Sequence, residues 1–360
     1  MPEIEEGPGT SGKKPEQNAA KMEVNLGFVG TEVSSRAIYD GVGISEENLA
    51  NHIGKVRVSV ASFSDASGYA AYPSTNVSAT YKAYKEEGKL VWKAEDLYVL
   101  LTPNEAVVFG YAPLEGADDV LSGDPDVTPA DVTIGGLRIK TEQTFDATDA
   151  KRNTCNQTDY LFATKSAALA VPEHDRVSET RLETTLYMHH AMAKISFRVM
   201  KGKGQTVDAD NDFVKKIKLT AADNIFPQGL TCTMSLVNGA LTGVTPSNAM
   251  SFTAETGKGM LLSPYSEDCT SASQQVYGLV APLKKEGNVM AMEVTIGTND
   301  DNAENDRIYK TVADTEKLPV DWERGKEYIY AMTVTDQRLD VKLVQIVAFE
   351  SGGNADVPVD

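Results

Sequence analysis

The first candidate for chemistry is a glycine-rich segment near the start of the chain. Residues 7–13 come close to a phosphate-binding loop, but Lys14 stands where that motif has the Ser or Thr that binds magnesium. No predicted strand precedes the segment, and the motif works only when a strand-to-helix turn aims backbone N–H groups at the phosphate. We therefore predict no nucleotide site.

Histidine is scarce and poorly placed for acid-base catalysis or metal binding. Of the four histidines, His189 and His190 are adjacent in a predicted strand. Neighbouring side chains of a strand point to opposite faces, so these two cannot share one metal ion. We expect one of them at a core edge and the other in solvent.

The acidic and cysteine patterns predict no metal site either. Residues 208–212 begin like a calcium loop, but the sixth position is Phe213 rather than Gly and the twelfth is Leu219 rather than Glu. The three cysteines are too scattered for a metal motif. Whether Cys232 and Cys269 form a disulfide stays open on the sequence. We expect no metal, no cofactor and no enzymatic activity.

Arg36 has the most specific chemical use, as a protease site. Val24, Leu26 and Phe28 alternate like a first strand, and the chain then runs through small polar residues to Arg36. The next residue is the small Ala37, and such a step in an exposed loop suits a trypsin-like protease.

Charge and composition exclude several classes of partner. The 360 residues contain 34 Lys+Arg and 52 Asp+Glu, a net charge of −18. Lys and Arg form no stripe with interleaved aromatics, which argues against nucleic acid and against a basic membrane-binding face. An apolar share of 41% is that of a globular chain, and the length favours two domains.

The apolar pattern has a period of two and predicts an all-β fold. Val56, Val58 and Val60 alternate with small or polar residues, and the same period recurs in Ile195, Phe197 and later strands. Such one-sided strands need a second sheet to cover their apolar faces, which favours β-sandwiches over a parallel α/β fold. At most a short helix is expected, at residues 44–53.

The pattern divides the chain into three predicted parts. Residues 1–21 are rich in Gly, Pro and polar types and form a flexible leader without the features of a secretion signal. An N-terminal β-sandwich is expected over 22–183, with its first strand at 22–35. A C-terminal β-sandwich is expected over 184–360.

Several short segments, and the order in which they follow one another, resemble the fimbrillin-like family, the subunits of type V pili of Bacteroides-like bacteria. The resemblance runs from about residue 22 to the end. It rests on Ser35-Arg36, Tyr111-Ala112-Pro113, the stretches 159–164 and 190–197, and the ending 325–330 followed by 339–349.

The resemblance implies a fold, a location and a processing step. It implies two transthyretin-like β-sandwiches in tandem, in a lipoprotein of the outer membrane whose signal peptide and lipidated cysteine are not in the given chain. It also implies that an arginine-specific protease cuts after Arg36 and that removal of the first strand opens a groove. The C-terminal strands of a neighbouring subunit, of the same or another kind, would fill that groove.

The residues of this step can be assigned on the sequence. Loss of the first strand would remove Val24, Leu26, Phe28 and Val33 from a core. Burial of three or four such side chains in a donor strand is worth on the order of 5 to 10 kcal/mol. The donor candidates alternate and, after a shift of phase beyond Leu343, continue to the end of the segment: Leu339, Val341, Leu343, Ile346, Val347 and Phe349.

Two other functions compete with a pilus subunit serving adhesion. One is a monomeric or tip-located surface adhesin that binds a surface protein or a glycan, with Tyr72 and Trp92 as the foremost ligand-binding candidates. The other is a β-sandwich hydrolase, for which no catalytic constellation is found. The adhesin hypothesis requires exposed aromatic side chains, namely those of Tyr69, Tyr72, Tyr81, Tyr84 and Trp92.

Overall fold

A computed structural model describes most of the chain. The described residues are 20–28, 55–86, 89–95, 97–112, 114, 121, 123–146, 154–166, 173–255, 259–267, 276–300, 302–311, 317–336 and 338–348.

The described residues form short strands joined by turns. The first half contains β1 Ala20–Lys21, β2 Glu23–Phe28, β3 Lys55–Ser64, β4 Gly68–Ala71, β5 Ser78–Glu86, β6 Lys89–Ala94, β7 Leu100–Leu101, β8 Ala106–Ala112, β9 Asp126–Val127, β10 Val132–Ile139, β11 Glu142–Asp146, β12 Thr154–Cys155, β13 Leu161–Thr164 and β14 Arg176–Val177. The second half contains β15 Glu183–His190, β16 Ala193–Lys201, β17 Phe213–Ala221, β18 Phe226–Ser235, β19 Leu241–Thr242, β20 Thr245–Ser247, β21 Ala249–Ala254, β22 Met260–Leu261, β23 Val276–Val280, β24 Leu283–Gly297, β25 Arg307–Lys310, β26 Leu318–Trp322, β27 Lys326–Val334 and β28 Leu339–Ala348.

The N sheet organises the first half of the molecule. Its strand order is β2-β15-β13-β8-β3-β5-β6, with β4 on β3 and β14 on β8. The side chains of its central strands alternate between two cores. Those of Val58 and Val108 pack in one, which we call the N core, and those of Phe109 and Tyr111 pack in the other, which we call the M core. The centre of the sheet is therefore apolar on both faces, and every residue of β8 is buried.

Three larger sheets and the two-stranded β1-β7 sheet complete the described architecture. The M sheet, β19-β18-β10-β9 with β20, contributes residues such as Ile134 and Met234 to the M core. The C sheet, β12-β11-β21-β17-β24-β25 with β22 and β26, and the D sheet, β23-β16-β27-β28, enclose the C core. In β16, Ile195 and Phe197 enter the C core, as the period of two predicts.

The pairing of strands crosses the predicted division at residue 183. Strand β15, which begins there, pairs with β13 and β2 of the N sheet. Strands β10 and β11 precede the division, yet they pair with β18 and β21. The three-part division remains a prediction, and the sheets are built from both sides of it.

The all-β fold class is confirmed. No α-helix occurs in the described ranges, and the segment 44–53 lies outside them. The tandem transthyretin-like arrangement stays a prediction. The described ranges accordingly contain no helix that is long and apolar enough to span a membrane.

The expectation that one of the two adjacent histidines faces solvent is wrong, because the N sheet is covered on both faces. His189 is fully buried, and its Nε2 lies 2.8 Å from Thr164 Oγ1. His190 is also buried, with Nδ1 2.6 Å from Asp159 Oδ2.

Candidate strand-exchange site

The segment β1–β2 lies at an edge of the N sheet. Strand β2 runs parallel to β15, with Val24 opposite Thr184 and Leu26 opposite Leu186. The side chains of Met22 and Val24 are 0% and 3% exposed in the N core, and that of Leu26 is partly buried. The displaced-strand residues Val24 and Leu26 therefore face a core, as the alternation predicts.

Only a few backbone contacts beyond the β15 ladder hold this segment. Strand β1 forms a two-residue antiparallel bridge with β7, in which Ala20 pairs with Leu101. At the crossing from β7 to β15, the N–H of Met22 donates to the Val99 carbonyl at 3.1 Å, and that of Glu23 donates to the Leu182 carbonyl at 2.9 Å.

Tyr81 contacts the backbone of this segment from within the N core. Its side chain is 0% exposed, and its hydroxyl donates a hydrogen bond of 3.0 Å to the Met22 carbonyl. Burial raises the pKa of Tyr81 far above its ordinary value, so the hydroxyl keeps its proton. Sequence analysis grouped Tyr81 with exposed aromatics. The alternation of Ala79 and Tyr81 with Thr80 and Lys82 is the signal that predicts its burial.

Strand β28, the proposed donor, lies at an edge of the D sheet and pairs antiparallel with β27. Leu339 is fully buried in the C core, whereas Val341, Leu343 and Ile346 only pack against it in part. The pairing shifts between Leu343 and the next partners, so that Val344 is skipped and packs on Met200 and Ala331 instead. The predicted shift of phase beyond Leu343 is confirmed.

Several predicted site residues lie outside the described residues. These are the cleavage pair Arg36 and Ala37, together with Val33 and Phe349. The backbone of Phe28 ends β2 opposite Met188, and that of Val347 lies opposite Glu327, one residue before the end of β28.

Tyr72 and Trp92 do not have the exposure that the adhesin hypothesis requires. They are 4% and 8% exposed and belong to the N core. The Tyr72 hydroxyl donates to the Asn104 carbonyl at 2.8 Å and accepts from the N–H of Thr102. Both side chains are buried because β1, β2 and the segment around β7 cover this face of the N sheet, so neither presents a ring to a ligand.

The acidic loop at 208–212 is an ion-pair site. Asp212 is 1% exposed and lies 2.9 Å from both Lys201 Nζ and Arg307 Nη2. Burial alone would raise the pKa of Asp212, but the Asp208 N–H and these two cations together hold it below its ordinary value. Over the described residues, no group of three or more His, Cys, Asp or Glu could hold a metal ion.

Cys232 is a buried free thiol in the M core, whereas Cys269 lies outside the described residues.

In its described parts the protein is built from β-sheets. The apolar segment β1–β2 lies at an edge of the N sheet with few backbone contacts beyond the β15 ladder, and β28, which is mostly only partly buried, lies at an edge of the D sheet. The model of the fimbrillin-like family matches residues 70–348 of this chain. The chain therefore belongs to the fimbrillin-like family, as the resemblance of the sequence indicates.

Similarity to one solved structure supports the fold, and two others are similar at a lower TM-score. A fimbrial protein from Bacteroides vulgatus is 13% identical, with a TM-score of 0.52, over 91% of this chain and 99% of its own. Proteins from Bacteroides ovatus and Bacteroides uniformis, both provisionally named as cell adhesion proteins, are 17% and 14% identical. Their TM-scores are 0.48 and 0.49; the alignments span 92% and 93% of this chain and 97% and 100% of theirs. No curated protein matches the chain.

Proposed function

We propose that this protein is a non-enzymatic structural subunit of a cell-surface pilus that serves adhesion and assembles by protease-triggered donor-strand exchange. Membership of the fimbrillin-like family supports the class and the cell-surface location. The observation that carries the mechanism is the position of β1–β2, which fills the N core from a sheet edge.

Removal of β1–β2 would leave a groove that favours a replacement strand. The groove would expose the core side chains that Met22, Val24 and Leu26 now cover. Full burial of one such apolar side chain stabilises a fold by roughly 1.5 to 3 kcal/mol. Removal would also leave the edge of β15 without a partner, which is a template for strand addition. Cleavage after Arg36 by an arginine-specific protease is the proposed trigger.

Strand β28 is the proposed donor because it can leave its own sheet at low cost. It occupies an edge of the D sheet, so departure breaks a single ladder among the described strands. Leu339 is its one fully buried side chain among those described. A donor entering a neighbour head to tail gives an open, heterologous chain, which is a filament.

The proposed partners are neighbouring pilus subunits of the same or another kind, with the filament presenting a surface that contacts a host or bacterial protein or glycan. The proposed location is the outer membrane, with anchorage as a lipoprotein. A monomeric adhesin using Tyr72 and Trp92 is not favoured, since both rings are buried.

The test is digestion of the folded chain by an arginine-specific protease, followed by intact-mass analysis and electron microscopy. We expect cleavage after Arg36 and growth of filaments. The Arg36→Ala variant should stay intact and monomeric. The Arg36→Lys variant is the matched control, because it should resist the arginine-specific enzyme yet assemble after trypsin. Normal assembly of Arg36→Ala would refute the proposed trigger.

A further inference from the structure

Among the described residues, Tyr81 makes the one side-chain hydrogen bond recorded from the N core to the backbone of β1–β2. The hydroxyl reaches the Met22 carbonyl, while Val56, Val58 and Val108 line the same core. Met22 is also the first buried residue of the inward-facing series at alternate positions, which continues with Val24 and Leu26. The hydrogen bond therefore marks one defined position along the groove.

Departure of β1–β2 would leave this hydroxyl without its acceptor. A buried hydroxyl whose O–H has no acceptor costs about 1 to 3 kcal/mol, so a replacement strand is favoured when it places a backbone carbonyl at the same point. A strand shifted by one residue would place a different carbonyl there and would turn its apolar side chains outward.

We infer, on the basis of the proposed function, that Tyr81 fixes the register of the incoming strand, and that β28 of a second copy enters parallel to β15 with Leu339 in the place of Met22. The Leu339 carbonyl then accepts from the Tyr81 hydroxyl. Val341 and Leu343 take the places of Val24 and Leu26.

This register matches both faces of the displaced strand. Asp340 and Lys342 fall where the exposed Glu23 and Asn25 now lie, so polar side chains stay in solvent. A shift of two residues in one direction would bury Gln345 at the position of Leu26. A shift of two in the other direction would bury Gln337 at the fully buried position of Met22.

A third register would use the part of β28 beyond the shift of phase. It would place Val344, Ile346 and Ala348 inward at positions 22, 24 and 26, but it would turn Val347 outward at the position of the exposed Asn25. The inferred parallel direction is that of the displaced strand, since β2 pairs with β15 in parallel over six residue pairs.

The test is disulfide formation between a cleaved acceptor and an uncleaved donor. The acceptor carries Thr185→Cys, since Thr185 is exposed and lies opposite Asn25. One donor carries Lys342→Cys and the other Asp340→Cys. The inferred register places position 342 opposite position 185, whereas the reversed direction places position 340 there. Peptide masses identify the linked pair while the native cysteines stay in place.

We expect at least about fivefold more adduct with the Lys342→Cys donor, the ratio that one net hydrogen bond supports. In an acceptor that also carries Tyr81→Phe, the preference should fall below about twofold. Tyr84→Phe is the matched control on the same strand, because Tyr84 is 40% exposed, and it should keep the preference.

Equal adducts, or more adduct with the Asp340→Cys donor, would overturn the register. An undiminished preference in Tyr81→Phe would overturn the role of Tyr81. Size-exclusion chromatography separates these failures from that of the proposed function: complexes without the expected adduct refute this inference alone, whereas no complex at all refutes both.

Discussion

Truncation of Met22 should loosen the first strands while the rest of the fold stays intact. The Met22 side chain is 0% exposed and packs in the N core. Its neighbours in the chain are held by the β15 ladder and by the two-residue bridge to β7. The Met22→Ala variant should therefore favour local release of β1–β2.

The size of the effect follows from the burial. Replacement of a buried Met by Ala costs about 2 to 5 kcal/mol in the free energy of unfolding. At the lower figure, the population of the opened state rises about 30-fold, because 1.4 kcal/mol corresponds to a factor of ten.

Hydrogen exchange of the uncleaved chain, followed by mass spectrometry, measures this population. We expect exchange to accelerate at least about 30-fold over 23–28 and along the facing edge of β15, with β16 and β27 unchanged. The control is Asn25→Ala, which removes an exposed side chain from the same strand. An equal acceleration in β16 and β27, or none in β2, would refute the view that β1–β2 opens as a separate unit.

Two further changes test the donor strand and the ion-pair site. Leu343→Asp places a charge on the inward face of β28 and should abolish assembly after cleavage, whereas Lys342→Asp on the exposed face should preserve it. Sedimentation of the cleaved product measures both. Assembly of the Leu343→Asp variant would count against β28 as the donor. Asp212→Asn should lower the free energy of unfolding at neutral pH by about 3 kcal/mol, because Lys201 and Arg307 lose their buried partner. Because folding lowers the pKa of Asp212, its ionised carboxylate stabilises the folded state above its unfolded pKa, and this stabilisation is lost as the pH falls through the folded pKa. Urea titrations across this acidic range should show that the free energy of unfolding depends less on pH in the variant. An unchanged pH profile would contradict the ion-pair account.

The local pattern of the sequence predicts much of the candidate site. Alternation places Val24 and Leu26 in a core, and it places Leu339, Val341 and Leu343 on one face with a shift of phase afterwards. These features depend on neighbours two residues apart, which is why a strand pattern carries them.

Exposure and long-range pairing are not predictable in the same way. Tyr72, Trp92 and His189 are buried because segments distant in sequence cover both faces of the N sheet. The pairing of β11 with β21 likewise joins residues more than a hundred positions apart, and the period of two contains no information on which strand lies beside which.

The role of Tyr81 depends on such a distant contact. Its acceptor is the carbonyl of Met22, 59 residues earlier in the chain. The residue type and the local alternation indicate a buried aromatic ring, but only the fold shows that the hydroxyl reaches the strand proposed to leave.

A high-resolution structure of filaments grown from the cleaved protein tests the central claim most directly. The account predicts that the strand lying along β15 in each subunit is residues 339–348 of its neighbour, with residues 20–28 absent. Filaments in which residues 20–28 still occupy that edge, with β28 paired to its own β27, would contradict it.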